Sequence, residues 1–173
     1  WNEEVGVKLD DPGHGLCRAF KGSGFRVTDE IYQFKDPYSR ERLRVLLSLD
    51  TDATNMNKGD KIRRTDGDFA VSWIREYGDG RVFYCSLGHR NEIFRNPVLL
   101  QFYLDGIQYA LGDLPADATP SARLSEAHLE RSRRRGERLG LDAMFAGLRA
   151  YELGGDSRDA ELIRRRVIAA QTD

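Results

Sequence analysis

Two alternating apolar runs joined by a glycine turn set the class of this chain. Phe69 to Tyr77 puts Phe69, Val71, Trp73 and Tyr77 on one face, Gly78-Asp79-Gly80 turns, and Arg81 to Leu87 returns rich in Val, Phe and Tyr. Period-two alternation closed by glycines that accept positive φ predicts a β-hairpin. Three further runs read as strands. Val5, Val7 and Leu9 alternate with polar neighbours, Phe25 to Phe34 carries Phe25, Val27, Ile31 and Phe34, and Leu43 to Leu49 is apolar enough to lie inside a sheet. Leu16 to Phe20 reads as a short helical turn ended by Gly22-Ser23-Gly24. Asp50 to Asp68 is mostly polar, and it exceeds the about 12–15 residues beyond which a structureless loop is usually functional or mobile.

Asn96-Pro97 has the side chain and the ring that open a helix, and Gly112 the freedom that ends one. Val98 to Leu111 is apolar around most of its circumference, which predicts a buried helix. Strands followed by such a helix predict an α/β domain over residues 1–115. Beyond it, residues 116–140 read as a charged helical linker centred on Glu130 to Arg135. Residues 141–173 read as a helical hairpin: Leu141, Met144, Phe145, Leu148 and Tyr151, a Gly154-Gly155 break, an Asp156 cap, then Ile163, Val167 and Ala170. One hairpin cannot bury both its faces, so this tail reads as the first unit of a helical-repeat array. The chain opens on Trp1 and enters a strand at once, which predicts a piece of a longer protein.

Charge narrows the partners. With 27 Lys and Arg against 28 Asp and Glu, the net charge of −1 provides no global pull toward nucleic acid or an anionic membrane. No apolar run nears the roughly 20 residues that span a bilayer. Cys17 and Cys85 are too few for a disulfide framework, are not spaced as zinc ligands, and leave the compartment open.

Chemistry concentrates at a few positions. His89 follows a strand in Ser86-Leu87-Gly88-His89, and in open α/β sheets ligands gather at the carboxyl ends of strands. A histidine there suits general acid–base work, or otherwise a loop hydrogen bond. Asp29 and Glu30 are adjacent on a strand and so face opposite sides, which excludes a carboxylate dyad. Glu30 and Tyr32 share a face and set a carboxylate beside a phenol; read alone, the carboxylate better suits the surface at a sheet margin. Asp66-Gly67-Asp68, preceded by Arg63-Arg64, could meet sugar hydroxyls or a cation, although it lacks the further oxygen ligands of a calcium loop. Gly22-Ser23-Gly24 lacks the full phosphate-loop pattern, so no cofactor is expected, and only His89 with nearby carboxylates offers metal ligands. His14 in a Pro-Gly turn, His128 on a charged helix, and the arginine run 131–138 with its interleaved glutamates all read as solvated. Cys85 reads as core.

Val27-Thr28-Asp29-Glu30-Ile31-Tyr32-Gln33-Phe34, Arg64 to Trp73 and Gly80 to His89 together resemble the ThuA-like (trehalose utilisation) family, in order and in spacing. The resemblance covers about residues 1–114. It implies the class I glutamine amidotransferase-like superfamily and a flavodoxin-like α/β fold, of which this chain would be the C-terminal half. In that superfamily the catalytic histidine follows a late strand, the kind of position His89 occupies. The nucleophile elbow would lie upstream of Trp1, and Cys85 is in the wrong segment to replace it, so glutaminase activity is not expected. The tail is similar to helical repeats that follow ThuA-like domains in large multidomain bacterial proteins. The resemblance implies a saccharide ligand and hydrolase or isomerase chemistry on trehalose or related keto-sugars. His89 and Glu30 would be catalytic, and Tyr32, Asp29, Asp66, Asp68 and Arg64 would contact the sugar. The alternative is a non-catalytic carbohydrate-binding or scaffold module. Expected partners are the upstream half-domain and downstream repeats, with no nucleic acid and no membrane span.

Overall fold

The computed structural model describes residues 2–152, with side chains as far as residue 146. The alternating runs become β1 (Asn2–Leu9), β2 (Phe25–Glu30), β3 (Arg44–Asp50), β4 (Ala70–Tyr77) and β5 (Gly80–Cys85). They form one sheet of order β2-β1-β3-β4-β5. The hairpin turns where the glycines put it: Tyr77 lies opposite Gly80, Trp73 lies opposite Tyr84, and Gly78 takes φ +56°. Central β3 buries Val45, Leu46 and Leu47 completely, as its unbroken apolar run requires. The α/β class holds. Every strand pair is antiparallel, so the parallel strands of a flavodoxin-like sheet are not among the described residues.

The sheet is strongly curled. β2 and β5 are its two outermost strands, yet Asp29 in β2 accepts hydrogen bonds from the backbone of Gly88 and Arg90, just beyond β5. Accumulated twist has brought the carboxyl ends of opposite edges together. Val5, Leu46, Leu49, Val71 and Ile74 fill the inside with Leu16, Cys17 and Phe20 of a 3₁₀ turn at Gly15–Phe20.

The helix α1 (Pro97–Leu111) packs against β5. The Asn96 side chain accepts from the amides of Val98 and Leu99, and Gly112 closes the helix at φ +93°. A Cβ at Gly106 would run into the Phe83 ring, so this glycine lets helix and strand approach closely. Arg18 of the 3₁₀ turn grips the buried Asp105 through Nε at 2.8 Å and Nη2 at 2.6 Å. The expectation of all-round burial is corrected. Leu99, Phe102 and Tyr109 are buried, but Leu100, Leu104, Ile107 and Leu111 face outward, because one curled sheet covers only one side of a helix.

The helix α2 (Glu126–Glu152) runs unbroken through Gly136 and Gly140. His128, Ser132, Gly136 and Gly140 recur every four residues and so share a face. That face lies on the turn after β1. Ser132 Oγ accepts from Gly13 N at 2.9 Å, and a Cβ at Gly136 would meet Pro12. Asp156, Ile163, Val167 and Ala170, the expected second helix of the hairpin, lie outside the described residues. Two solvated histidines are corrected by this docking: His14 is buried, and His128 reaches Arg44 at 3.1 Å. The burial needed a helix more than a hundred residues downstream, which no local pattern announces. No described helix is long and apolar enough to cross a membrane.

Candidate functional site

The curl assembles the site. β2 delivers Asp29 and Glu30, and the loop after β5 delivers His89. Asp29 is fully buried; one carboxylate oxygen accepts from Gly88 N at 2.6 Å and the other from Arg90 N at 3.0 Å. The Tyr103 hydroxyl of α1 donates to the Leu87 carbonyl from the other side. Gly88 holds φ +132°, a conformation that L side chains rarely adopt, which explains a glycine just before the histidine. The His89 backbone is therefore clamped between two elements while its side chain stays half exposed.

Glu30 is the hub. Its Oε2 lies 3.2 Å from His89 Nδ1 and accepts the Tyr32 hydroxyl at 2.7 Å. A carboxylate only accepts, so of the two ring nitrogens it is Nδ1 whose hydrogen Glu30 would receive, which leaves Nε2 on the side away from Glu30. The hydrogen bond to Glu30 raises the Tyr32 phenol above its ordinary value. Carboxylate, phenol and imidazole thus converge on one oxygen at the rim of the sheet.

Beside this trio runs an aromatic floor. Trp73 and Tyr84 stack with centroids 5.1 Å apart, Phe34 meets Tyr84 edge-on at 5.3 Å, and Phe34 stacks on Tyr38 at 5.2 Å. Next to it opens a cleft of about 480 Å³ lined by Gln33, Phe34, Lys35, Asp36, Arg63, Arg64, Thr65 and Asp66. Gln33 zips the long polar loop to this edge: its Nε2 donates to Lys61 O at 2.7 Å and its Oε1 accepts from Arg63 N at 2.8 Å. Arg64 donates to Asp66 and, through Nη1, to Phe34 O at 2.7 Å. Asp68 accepts from Tyr38 at 2.8 Å and from Arg40 at 2.8 Å. Burial and that hydrogen bond push the Tyr38 phenol well above its ordinary value.

A family model described as ThuA, trehalose utilisation, matches residues 1–110. The chain belongs to the ThuA family. No curated protein and no solved structure matches it. The ThuA match spans all five strands and nearly all of α1, while α2 lies beyond it. Membership ties the chain to trehalose utilisation.

Within this ThuA region the structure gathers Glu30, Tyr32 and His89 at one corner, and Arg64 and Asp66 along the neighbouring cleft. Asp29 does not join them: its oxygens are both spent on the His89 loop, which makes it a positioning residue. Asp68 sits in the Tyr38–Arg40 network and does not line the cleft. Sequence reading missed Gln33 and the floor formed by Phe34, Tyr38, Trp73 and Tyr84. Phe34, Trp73 and Tyr84 were visible as strand positions, but their meeting with one another and with Tyr38, across as many as 50 positions of the chain, was not. Among the described residues, no cluster of three or more His, Cys, Asp or Glu side chains is arranged for a metal ion.

Proposed function

We propose that the Glu30–Tyr32–His89 corner is an acid–base site acting on trehalose or a related keto-sugar, by hydrolysis or isomerisation. The convergence of Tyr32 and His89 on Glu30 Oε2 is the observation that carries this reading. Sugars offer hydroxyls to carboxylates and guanidinium groups and apolar C–H faces to aromatic rings, and the adjoining cleft and floor supply both kinds of surface. In this reading His89 Nε2 takes or returns the substrate proton, Glu30 stabilises the imidazolium, and the Tyr32 oxygen, whose hydrogen goes to Glu30, accepts from a substrate hydroxyl. Arg64 and Asp66 would hold outer hydroxyls. The reading also assigns the chain to the class I glutamine amidotransferase-like superfamily, whose catalytic histidine likewise follows a late strand.

A positioned acid–base group supplies about 10²–10⁴-fold in rate. His89→Ala should therefore lower turnover of trehalose or a 3-keto-disaccharide by about that factor, with the melting temperature little changed, since the ring is half exposed. Unchanged turnover would remove His89 from the chemistry. The openness of the corner, with Tyr32 itself 49% exposed, favours the second reading of a binding module that retains saccharides without converting them. Saccharide binding with no product would select that reading.

A further inference from the structure

Where α2 crosses the turn after β1, it closes a cavity of about 550 Å³ whose lining includes Arg44, Asp11 and His14 from one side and Arg131, Ser132 and Arg135 from the other. The family match covers the Asp11, His14 and Arg44 side of this space and ends before the α2 residues that close it. Arg44 forms the floor and is fully buried. Its Nη2 pairs with Asp11 and its Nη1 donates to Thr119 O at 3.0 Å, but its buried Nε has no hydrogen-bond partner. A buried donor without an acceptor is costly, and it leaves part of the Arg44 charge unmatched beneath the cavity.

The charges point the same way. His14 spends both ring nitrogens, with Nδ1 accepting from Leu16 N at 3.3 Å and Nε2 donating to Asp117 O at 3.0 Å, and burial holds it neutral. His128 Nε2 lies 3.1 Å from Arg44 Nη2, and because a guanidinium only donates, this nitrogen is the acceptor of that contact. Asp11 is consumed by Arg44 and the Ser132 hydroxyl, and Asp117, the other lining carboxylate, pairs with Arg44 Nη1 at 3.5 Å and accepts from Thr119 N at 2.9 Å. On α2, Arg133 and Arg134 are neutralised by Glu130 and Glu137. Arg131 and Arg135, one turn apart, line the cavity and have no carboxylate partner among the described residues. Like charges at that spacing repel, so the arrangement is relieved by an anion between them.

We propose that this cavity binds an oxyanion, a phosphate or carboxylate group on a small polar ligand, held by Arg131 and Arg135 at the mouth above Arg44. The fork of a guanidinium matches two oxygens of either group. The proposal does not depend on the sugar chemistry at His89. Calorimetric titration of the whole chain with inorganic phosphate, glucose 6-phosphate and gluconate tests it. Saturable binding of at least one is expected, weakened by about tenfold or more in R131A/R135A and retained in R133A/R134A. Both pairs are exposed, so neither variant should unfold the chain. Response to the two phosphates identifies a phosphate site, and response to gluconate alone a carboxylate site. No saturable heat with any of the three, or equal loss in both double variants, would overturn the proposal.

Discussion

Replacing Asp29 by Asn should loosen the loop that carries His89, although the substitution changes almost nothing in volume. The native carboxylate is fully buried and accepts one amide on each oxygen, Gly88 N at 2.6 Å and Arg90 N at 3.0 Å. Hydrogen bonds to a charged group are worth about 1.5–3 kcal/mol each, and a buried donor left unmatched costs about 1–3 kcal/mol. Asparagine can still accept from one amide, but it turns its own NH₂ toward the other. The loss is therefore about 2–4 kcal/mol, or roughly 5–15 °C in melting temperature for a domain of this size. Hydrogen exchange should localise the effect, with the Gly88 and Arg90 amides losing protection before the β1–β3 core does. Glu30→Gln provides the contrast: its side chain is 35% exposed, so stability should move by less than about 0.5 kcal/mol while turnover falls. If D29N melts within about 2 °C of the native chain with unchanged exchange at Gly88 and Arg90, the clamp is not what holds His89.

The pH dependence carries a sign. The His14 pKa is lowered by burial from 6.5, so the unfolded chain takes up the proton first; His14 stabilises fully above that value, and the contribution is lost as pH falls below it. His14→Asn retains a capping side chain but cannot titrate, so its urea midpoint should fall less between about pH 7 and pH 5 than that of the native chain. Gly136→Ala favours an isolated helix by about 1 kcal/mol, yet its Cβ would meet Pro12; limited proteolysis of residues 116–125 should accelerate, and an unchanged rate would refute the docking. Phe102→Ala should cost about 3–5 kcal/mol in denaturant unfolding, because the ring is fully buried between Phe20 and Phe83. Leu104→Glu and Ile107→Glu, on the outward face of the same helix, should each stay within about 0.5 kcal/mol.

What the sequence determined by itself is local. The β4–β5 hairpin follows from alternation and two glycines, and α1 begins and ends where Asn96, Pro97 and Gly112 dictate. Glu30 and Tyr32, two positions apart, meet because they are neighbours on the chain. Tertiary structure alone decided the rest. Asp29 reads as a ligand-facing carboxylate until the curled sheet brings Gly88 and Arg90 onto it, and the long polar loop reads as free until Gln33 ties it down. His14 reads as solvated until a face of small residues on α2 settles over its turn, and His128 until the same docking carries it to Arg44. Backbone dihedrals and side-chain alternation depend on a few adjacent residues, so they can be read in order along the chain. Curl and docking sum small twists and shape matches over the whole molecule, and only that sum brings residues so far apart in sequence within hydrogen-bonding distance.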